Sequence, residues 1–228
     1  MPLPKPLNIF IGYDSREPVA FHVLAHSIIR HASRPVQITA LTLDSVRKIY
    51  SRPRMLNEAT EFSMTRFLVP FLCGYQGYAL FMDCDMVCQT DICRLSDIIN
   101  PQAAVSCCHH DYVPKSATKM DGQMQTSYPM KNWSSLMVFD NARCRRLSPE
   151  YINKASGLEL HRFMWNEGLL GEIPISWNWL VGEYESNPRA DILHYTLGGP
   201  WFEETRDCDH ADIWLAEKAL MQGEVQRV

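Results

Sequence analysis

The chain has no apolar run long enough to cross a bilayer. Stretches such as Arg66 to Cys73 fall far short of the ~20 residues needed to span hydrocarbon. The first residues, Met1-Pro2-Leu3-Pro4-Lys5-Pro6, carry no apolar signal-peptide segment. Both absences predict a soluble, cytoplasmic protein without a transmembrane segment. Positive charge is also short. Twenty-two basic against 26 acidic side chains leave a formal charge of -4 and a pI near 6.1, so no global field attracts a phosphate backbone and nucleic acid is not an expected partner. Eight cysteines are present without one Cys-x-x-Cys pair, which argues against structural zinc at Cys84, Cys88, Cys93, Cys107-Cys108 and His109-His110. A chain of this length needs no disulfide staples, so the thiols read as reduced core hydrophobes. Asn132-Trp133-Ser134 fits the N-glycosylation pattern, which matters only in a secreted protein. Repeats, low-complexity tracts and linkers are missing too. With 46% hydrophobic and 21% charged residues among 228, the expectation is a single compact domain over 1–228.

What is present alternates strand and helix. Leu7 to Gly12 is a short apolar, β-branched run. Behind it Val19, Val23, Leu24, Ser27 and Ile28 recur at the helical period, with Pro18 in the first turn and Asp14 and Glu17 at capping-box spacing. A second strand over Gln37 to Leu43 makes this the opening of a parallel α/β sheet with a right-handed crossover. Residues 44–62 read as loop with a short helix, Ser63 to Leu72 as a helix, and Tyr78 to Met82 and Ala103 to Cys107 as strands. The long stretch 108–132 reads as a functional loop. Ser134 to Phe139 is a further strand, 142–170 carries helical periodicity, and Arg143, Arg145 and Arg146 read as a solvated face. Ile192 to Tyr195 is a last short strand, and Asp209 to Gln222 an amphipathic helix with Asp209 and Asp212 in its first turn.

The chemistry concentrates at Ala79-Leu80-Phe81-Met82-Asp83-Cys84-Asp85. Strand alternation sends Asp83 and Asp85 to one side and Cys84 to the other, at the carboxyl end of a strand, where open α/β sheets bind ligands. Two carboxylates this close repel unless a proton or a cation lies between them, and oxygen ligands suit Mg²⁺ or Mn²⁺. The same pattern also fits the nucleophile strand of haloacid-dehalogenase-like phosphatases, with Asp83 forming a phosphoaspartate. His194-Tyr195-Thr196-Leu197-Gly198-Gly199-Pro200-Trp201 favours the metal reading. It offers an imidazole at a strand end and glycine backbone that can approach a phosphate.

With these motifs in hand, the chain resembles the GT-A-fold glycosyltransferases of the glycogenin and lipopolysaccharide-galactosyltransferase type. The matching elements are Thr65-Arg66-Phe67-Leu68-Val69-Pro70, Tyr78 to Val87, and His194 to Trp201. The resemblance implies a single-domain α/β, Rossmann-like fold with a mostly parallel sheet flanked by helices. It implies a nucleotide-diphosphate sugar donor, a hydroxyl acceptor on a glycan, lipid or protein, and transfer with retention. Metal ligation by Asp83, Asp85 and His194 is implied for Mn²⁺ or Mg²⁺. Donor contacts are implied at Tyr13, Asp14, Arg66, Ser135, Gly198, Gly199 and Trp201, with no catalytic residue identified. The acceptor would lie under the 108–132 loop, where Trp177-Asn178-Trp179 could stack a sugar. Two departures stand out. Gly199 replaces the family's lysine before Pro-Trp, and Glu159, His161 and Arg162 occupy the neighbourhood of its Asp-Gln pair. These departures keep a non-catalytic sugar-nucleotide or glycan-binding module as an alternative.

Overall fold

The computed structural model describes residues 6–54, 58–114 and 129–224. Nine strands and six α-helices follow in the order β1 (Leu7–Gly12), α1 (Pro18–His31), β2 (Val36–Leu41), α2 (Val69–Leu72), β3 (Tyr78–Met82), β4 (Met86–Cys88), α3 (Leu95–Ile98), β5 (Ala103–Cys108), β6 (Leu136–Asp140), α4 (Pro149–Lys154), α5 (Gly157–His161), β7 (Leu169–Ile173), β8 (Trp179–Leu180), β9 (Ile192–His194) and α6 (Ala211–Gln222) among the described residues. The main sheet has the order β2-β1-β3-β6-β5-β7, and only β6 runs antiparallel to its neighbours. The expected mostly parallel α/β sheet is therefore present. A second sheet, β4-β9-β8, lies beyond the carboxyl end of β3.

The central strands are apolar on both faces, as a covered sheet requires. Ile9, Ile11, Phe81, Met82, Leu136, Met137 and Phe139 are all fully buried. Helix α1 begins with Pro18, whose missing N–H is lost at no cost in a first turn. It buries Ala20, Val23, Leu24, Ser27 and Ile28. Ser27 ties this helix to the second sheet by accepting a 3.0 Å bond from the Cys88 N–H. Helix α6 is pinned to α1 by buried Glu217, which bonds His26 at 2.7 Å and Arg30 at 2.6 Å.

Several local expectations are corrected. Asp14 and Glu17 form no capping box: the α1 N-cap is Glu17, without a side-chain cap bond, while Asp14 turns to Arg16. The capping box lies instead at Ser156 and Glu159, which start α5. Residues 63–72 divide into a 3-10 turn over Thr65–Leu68 and the short α2, because Pro70 suits a first turn but not a helix interior. The 142–170 stretch yields two short helices, each opened by a serine N-cap, and then an unexpected strand, β7. Ser134 and Ser135 belong to a 3-10 turn, so β6 starts at Leu136. The final helix starts at Ala211, leaving Asp209 outside its first turn while Asp212 lies within it.

All eight cysteines are free thiols, and six are buried. Arg143 and Arg146 pair at the surface with Asp140 and Glu167, as a solvated face would. No helix among the described residues is long and apolar enough to cross a membrane.

Candidate metal and donor site

Asp83 and Asp85 lie in the crossing between the two sheets rather than within one strand. β3 ends at Met82, and the chain passes through residues 83–85 into β4. Two backbone bonds hold the crossing. The Asp83 N–H donates to the Ser135 carbonyl at 2.9 Å, and the Asp85 carbonyl accepts from the Tyr195 N–H at 2.8 Å. Antiparallel pairing of β4 with β9 sets Met86 opposite His194, so the imidazole arrives beside the two acids from more than a hundred residues away.

One ligand atom from each of Asp83, Asp85 and His194 lies within 4.8 Å of the others. His194 Nε2 is 3.2 Å from Asp85 Oδ1. Asp83 Oδ1 is 2.8 Å from Arg66 Nη1. Cys84 points away, its buried Sγ lying 3.5 Å from Glu17 Oε1. Burial, reinforced by the surrounding carboxylates, pushes that thiol well above its usual range and keeps it protonated. Among the described residues this is the one group of three or more His, Cys, Asp or Glu ligands that close together. The Cys/His zinc arrangement set aside on sequence is not formed among them.

Hydrogen bonding fixes which ring nitrogen of His194 faces the acids. Ser135 Oγ donates to the Asn132 carbonyl at 2.6 Å and accepts from Asn178 Nδ2 at 2.8 Å. That turns Asn178 Oδ1 to His194 Nδ1 at 2.8 Å. An amide oxygen only accepts, so Nδ1 carries a proton, which leaves Nε2 as the ring nitrogen that faces the acids. Two carboxylates and one imidazole lone pair converging in a buried position fit a divalent cation.

Two further buried carboxyl groups lie behind this group. Asp14 is fully buried and receives Arg16 Nε at 2.9 Å, Arg16 Nη2 at 2.7 Å and the Glu61 N–H at 3.2 Å. Burial pushes its carboxyl up, but the Arg16 and backbone bonds outweigh that and hold it below the usual range. Glu17 has no such guanidinium partner. Burial, then the charges of Asp85 and Asp14, raise it to about 8. Its Oε2 accepts the Trp201 indole N–H at 3.1 Å.

The donor-site expectations divide into those near the acids and those consumed by packing. Arg66 is buried, with its guanidinium 5.3 Å from the Phe62 ring centroid and 5.0 Å from that of Phe81, and it also donates to the Ser134 carbonyl at 2.9 Å. Its cation thus sits on Asp83. Ser135 has its hydroxyl engaged by Asn132 and Asn178. Tyr13 follows β1, half-buried and edge-on to Phe21 at 5.6 Å. Gly198 has φ +110°, a conformation side chains rarely adopt. Gly199 is needed for a different reason: a Cβ there would overlap the Trp201 ring. Trp201 packs against Trp214 of α6 at 4.9 Å and Tyr195 at 5.9 Å, and its indole bond to Glu17 ties the His194 to Trp201 segment to the start of α1.

The sequence reading missed Glu17 as a neighbour of the acids and Asn178 as the partner of His194. An asparagine between Trp177 and Trp179 was the available signal, since a polar group in an apolar run must find a partner once buried. Trp177 is buried core, so it offers no exposed ring for stacking. Nearby, buried His110 bonds the Tyr184 hydroxyl at 2.8 Å, and burial, then His194 and His109, push it down to about 3. More than half of the expected 108–132 loop, residues 115–128, lies outside the described residues. Glu159 is taken up by the α5 capping box, and His161 Nδ1 lies 2.7 Å from Ser134 Oγ.

The fold is that of the GT-A glycosyltransferases. A galactosyltransferase, LgtC, solved with donor and acceptor sugar analogues, superposes with a TM-score of 0.60 at 10% identity, covering 97% of each chain. The bifunctional glycosyltransferase WbbM gives 0.61 at 16% identity, and GlyE of Streptococcus pneumoniae gives 0.60 at 12%, each over 96% of this chain. This chain spans only 50% of the WbbM chain and 63% of the GlyE chain. No family model matches the sequence. The chain belongs to the family of Protein CDI of Arabidopsis thaliana, with which it is 46% identical over 223 residues, covering 93% of this chain and 86% of that protein.

Proposed function

We propose that the protein is a metal-dependent glycosyltransferase, a single unit over 1–228 that moves a sugar from a nucleotide-diphosphate donor to a hydroxyl acceptor. The observation that carries this reading is the convergence of Asp83, Asp85 and His194 within 4.8 Å at the carboxyl end of β3 in a GT-A fold. Mn²⁺, with Mg²⁺ as the alternative, suits two carboxylate oxygens and one imidazole nitrogen. When bound, the ion supplies positive charge that offsets charge developing on the departing diphosphate. The chain's own residues bind and orient. Asp83, Asp85 and His194 would hold the ion, Arg66 balances the charge of Asp83, and the backbone at Gly198 and Gly199 is the expected contact for the donor phosphates. In the transfer, the bond from sugar C1 to the diphosphate oxygen breaks, the acceptor oxygen bonds to C1, and its proton passes to the departing diphosphate. The resemblance to glycogenin and lipopolysaccharide galactosyltransferases supports retention at C1.

A phosphatase reading would need Asp83 as a nucleophile. Its Oδ1 is instead ion-paired with buried Arg66, and the fold is GT-A.

A screen of sugar nucleotides for Mn²⁺-dependent thermal stabilisation and slow donor hydrolysis tests the proposal. At least one donor should stabilise the protein only with Mn²⁺, and Asp83→Asn and Asp85→Asn should each abolish that shift while the protein stays folded. A shift that persists in both variants rejects the site. Donor binding without turnover, in the presence of any acceptor tried, leaves a binding module instead.

A further inference from the structure

We infer that Asn178 is a positioning residue, held by Ser135, that decides which ring nitrogen His194 offers to a cation. This rests on the metal-site reading above and adds to it a residue that touches neither metal nor substrate.

Three side chains form a chain of bonds with one consistent direction. The Asn132 carbonyl can only accept, so Ser135 donates to it at 2.6 Å. Having given its proton, Ser135 Oγ must accept from Asn178 Nδ2, 2.8 Å away. The amide is thereby oriented, and its Oδ1 faces His194 Nδ1 at 2.8 Å. Asn178 is 0% exposed, His194 1% and Ser135 2%, so solvent does not compete for these bonds. The other tautomer would set two lone pairs against each other at Asn178 and aim an N–H at the acids.

Backbone geometry serves the same end. Asn178 closes the 3-10 turn Ile175–Asn178 just before β8, which pairs with β9 and brings Leu180 opposite His194. Asn132 sits in the left-handed region with φ +63°, which turns its carbonyl toward Ser135 and Asn178. Leucine at 178 would be cheaper to bury than an amide, yet it could not set the tautomer.

The test compares Asn178→Leu, Asn178→Asp and Ser135→Ala with the unaltered protein. Free-Mn²⁺ EPR titration reads affinity, and ¹⁵N-edited NMR of His194 in the metal-free protein, at a pH high enough that one ring nitrogen has lost its proton, reads the tautomer. Asn178→Leu should weaken Mn²⁺ binding by about 10–100-fold, the range for losing a partner that orients a metal-bound histidine, and should put protons on both ring nitrogens in a mixture. Asn178→Asp keeps an acceptor facing Nδ1 and should restore both the tautomer and most of the affinity. Ser135→Ala frees the amide to flip and should give a smaller loss. If Asn178→Leu does not fold, Asn178→Asp and Ser135→Ala carry the comparison. Unchanged affinity and tautomer in the folded variants that remove these bonds would overturn the assignment. Equal weakening by Asn178→Leu and Asn178→Asp with the tautomer intact would overturn it too. A different failure, in which the unaltered protein shows no Mn²⁺ binding that depends on Asp83, would remove the metal site itself.

Discussion

Arg66 Nη1 lies 2.8 Å from Asp83 Oδ1, so an internal cation already sits on one of the two acids that face His194. Arg66 is buried between Phe62 and Phe81, and Asp83 is largely enclosed. The guanidinium therefore compensates a carboxylate that would otherwise be stranded in low dielectric. A divalent ion arriving at Asp83 joins this pairing rather than meeting a bare acid.

Arg66→Met should accordingly destabilise the metal-free protein by about 3–5 kcal/mol, the usual consequence of breaking one side of a buried ion pair. Saturating Mn²⁺ should recover part of that loss, because the ion neutralises the abandoned carboxylate. Urea denaturation in EDTA and in Mn²⁺ measures both. An identical deficit in the two buffers would show that Arg66 and the ion do not share Asp83.

Glu17 gives the metal-free protein a pH dependence with a defined sign. Its carboxyl is raised from 4.5 to about 8 in the folded state by burial, then by Asp85 and Asp14. Between those values the folded chain holds a proton that the unfolded chain has released. Stability from this group is full below the unfolded value, falls as pH rises through the window, and is lost above about 8. Glu17→Gln keeps an acceptor for Trp201 and removes the titration. The variant should match the parent near pH 4.5 and exceed it at pH 8.5 by on the order of a few kcal/mol in EDTA. A difference independent of pH would contradict the assignment.

Gly199→Ala places a methyl group in the space of the Trp201 ring. The ring must move off Trp214 and its bond to Glu17 must stretch, at a cost of about 1–3 kcal/mol typical of overpacking. Near-UV circular dichroism should report the loss of the Trp201–Trp214 contact, and the melting temperature should fall. Parental near-UV spectra and stability would show that Gly199 is not required by packing.

Much of the architecture was legible because its signals are local. The apolar runs of β1, β3 and β5 and the periodicity of α1 are properties of neighbouring residues, and they appeared close to where they were expected. The 142–170 stretch failed for a local reason as well. Helical spacing of its apolar residues concealed the two serine caps that open α4 and α5, and Gly171 and Glu172 break the apolar run of β7. Asp14 and Glu17 had capping spacing, but other partners took them: neighbouring Arg16 and the distant Glu61 backbone for one, Trp201 and Cys84 for the other.

By itself the sequence determined which groups can bind a cation. An Asp-x-Asp after an apolar run and a histidine before paired glycines are matters of residue type and order. Only the tertiary structure decided that they meet, because β4 pairs with β9 and carries His194 to Asp85. It also decided the partners: Arg66 on Asp83, Asn178 behind His194, and Trp201 in the space left by Gly199. Residue type sets what a side chain can donate or accept. Which neighbour it faces depends on contacts between segments far apart in the chain, and those form only when the sheets pack.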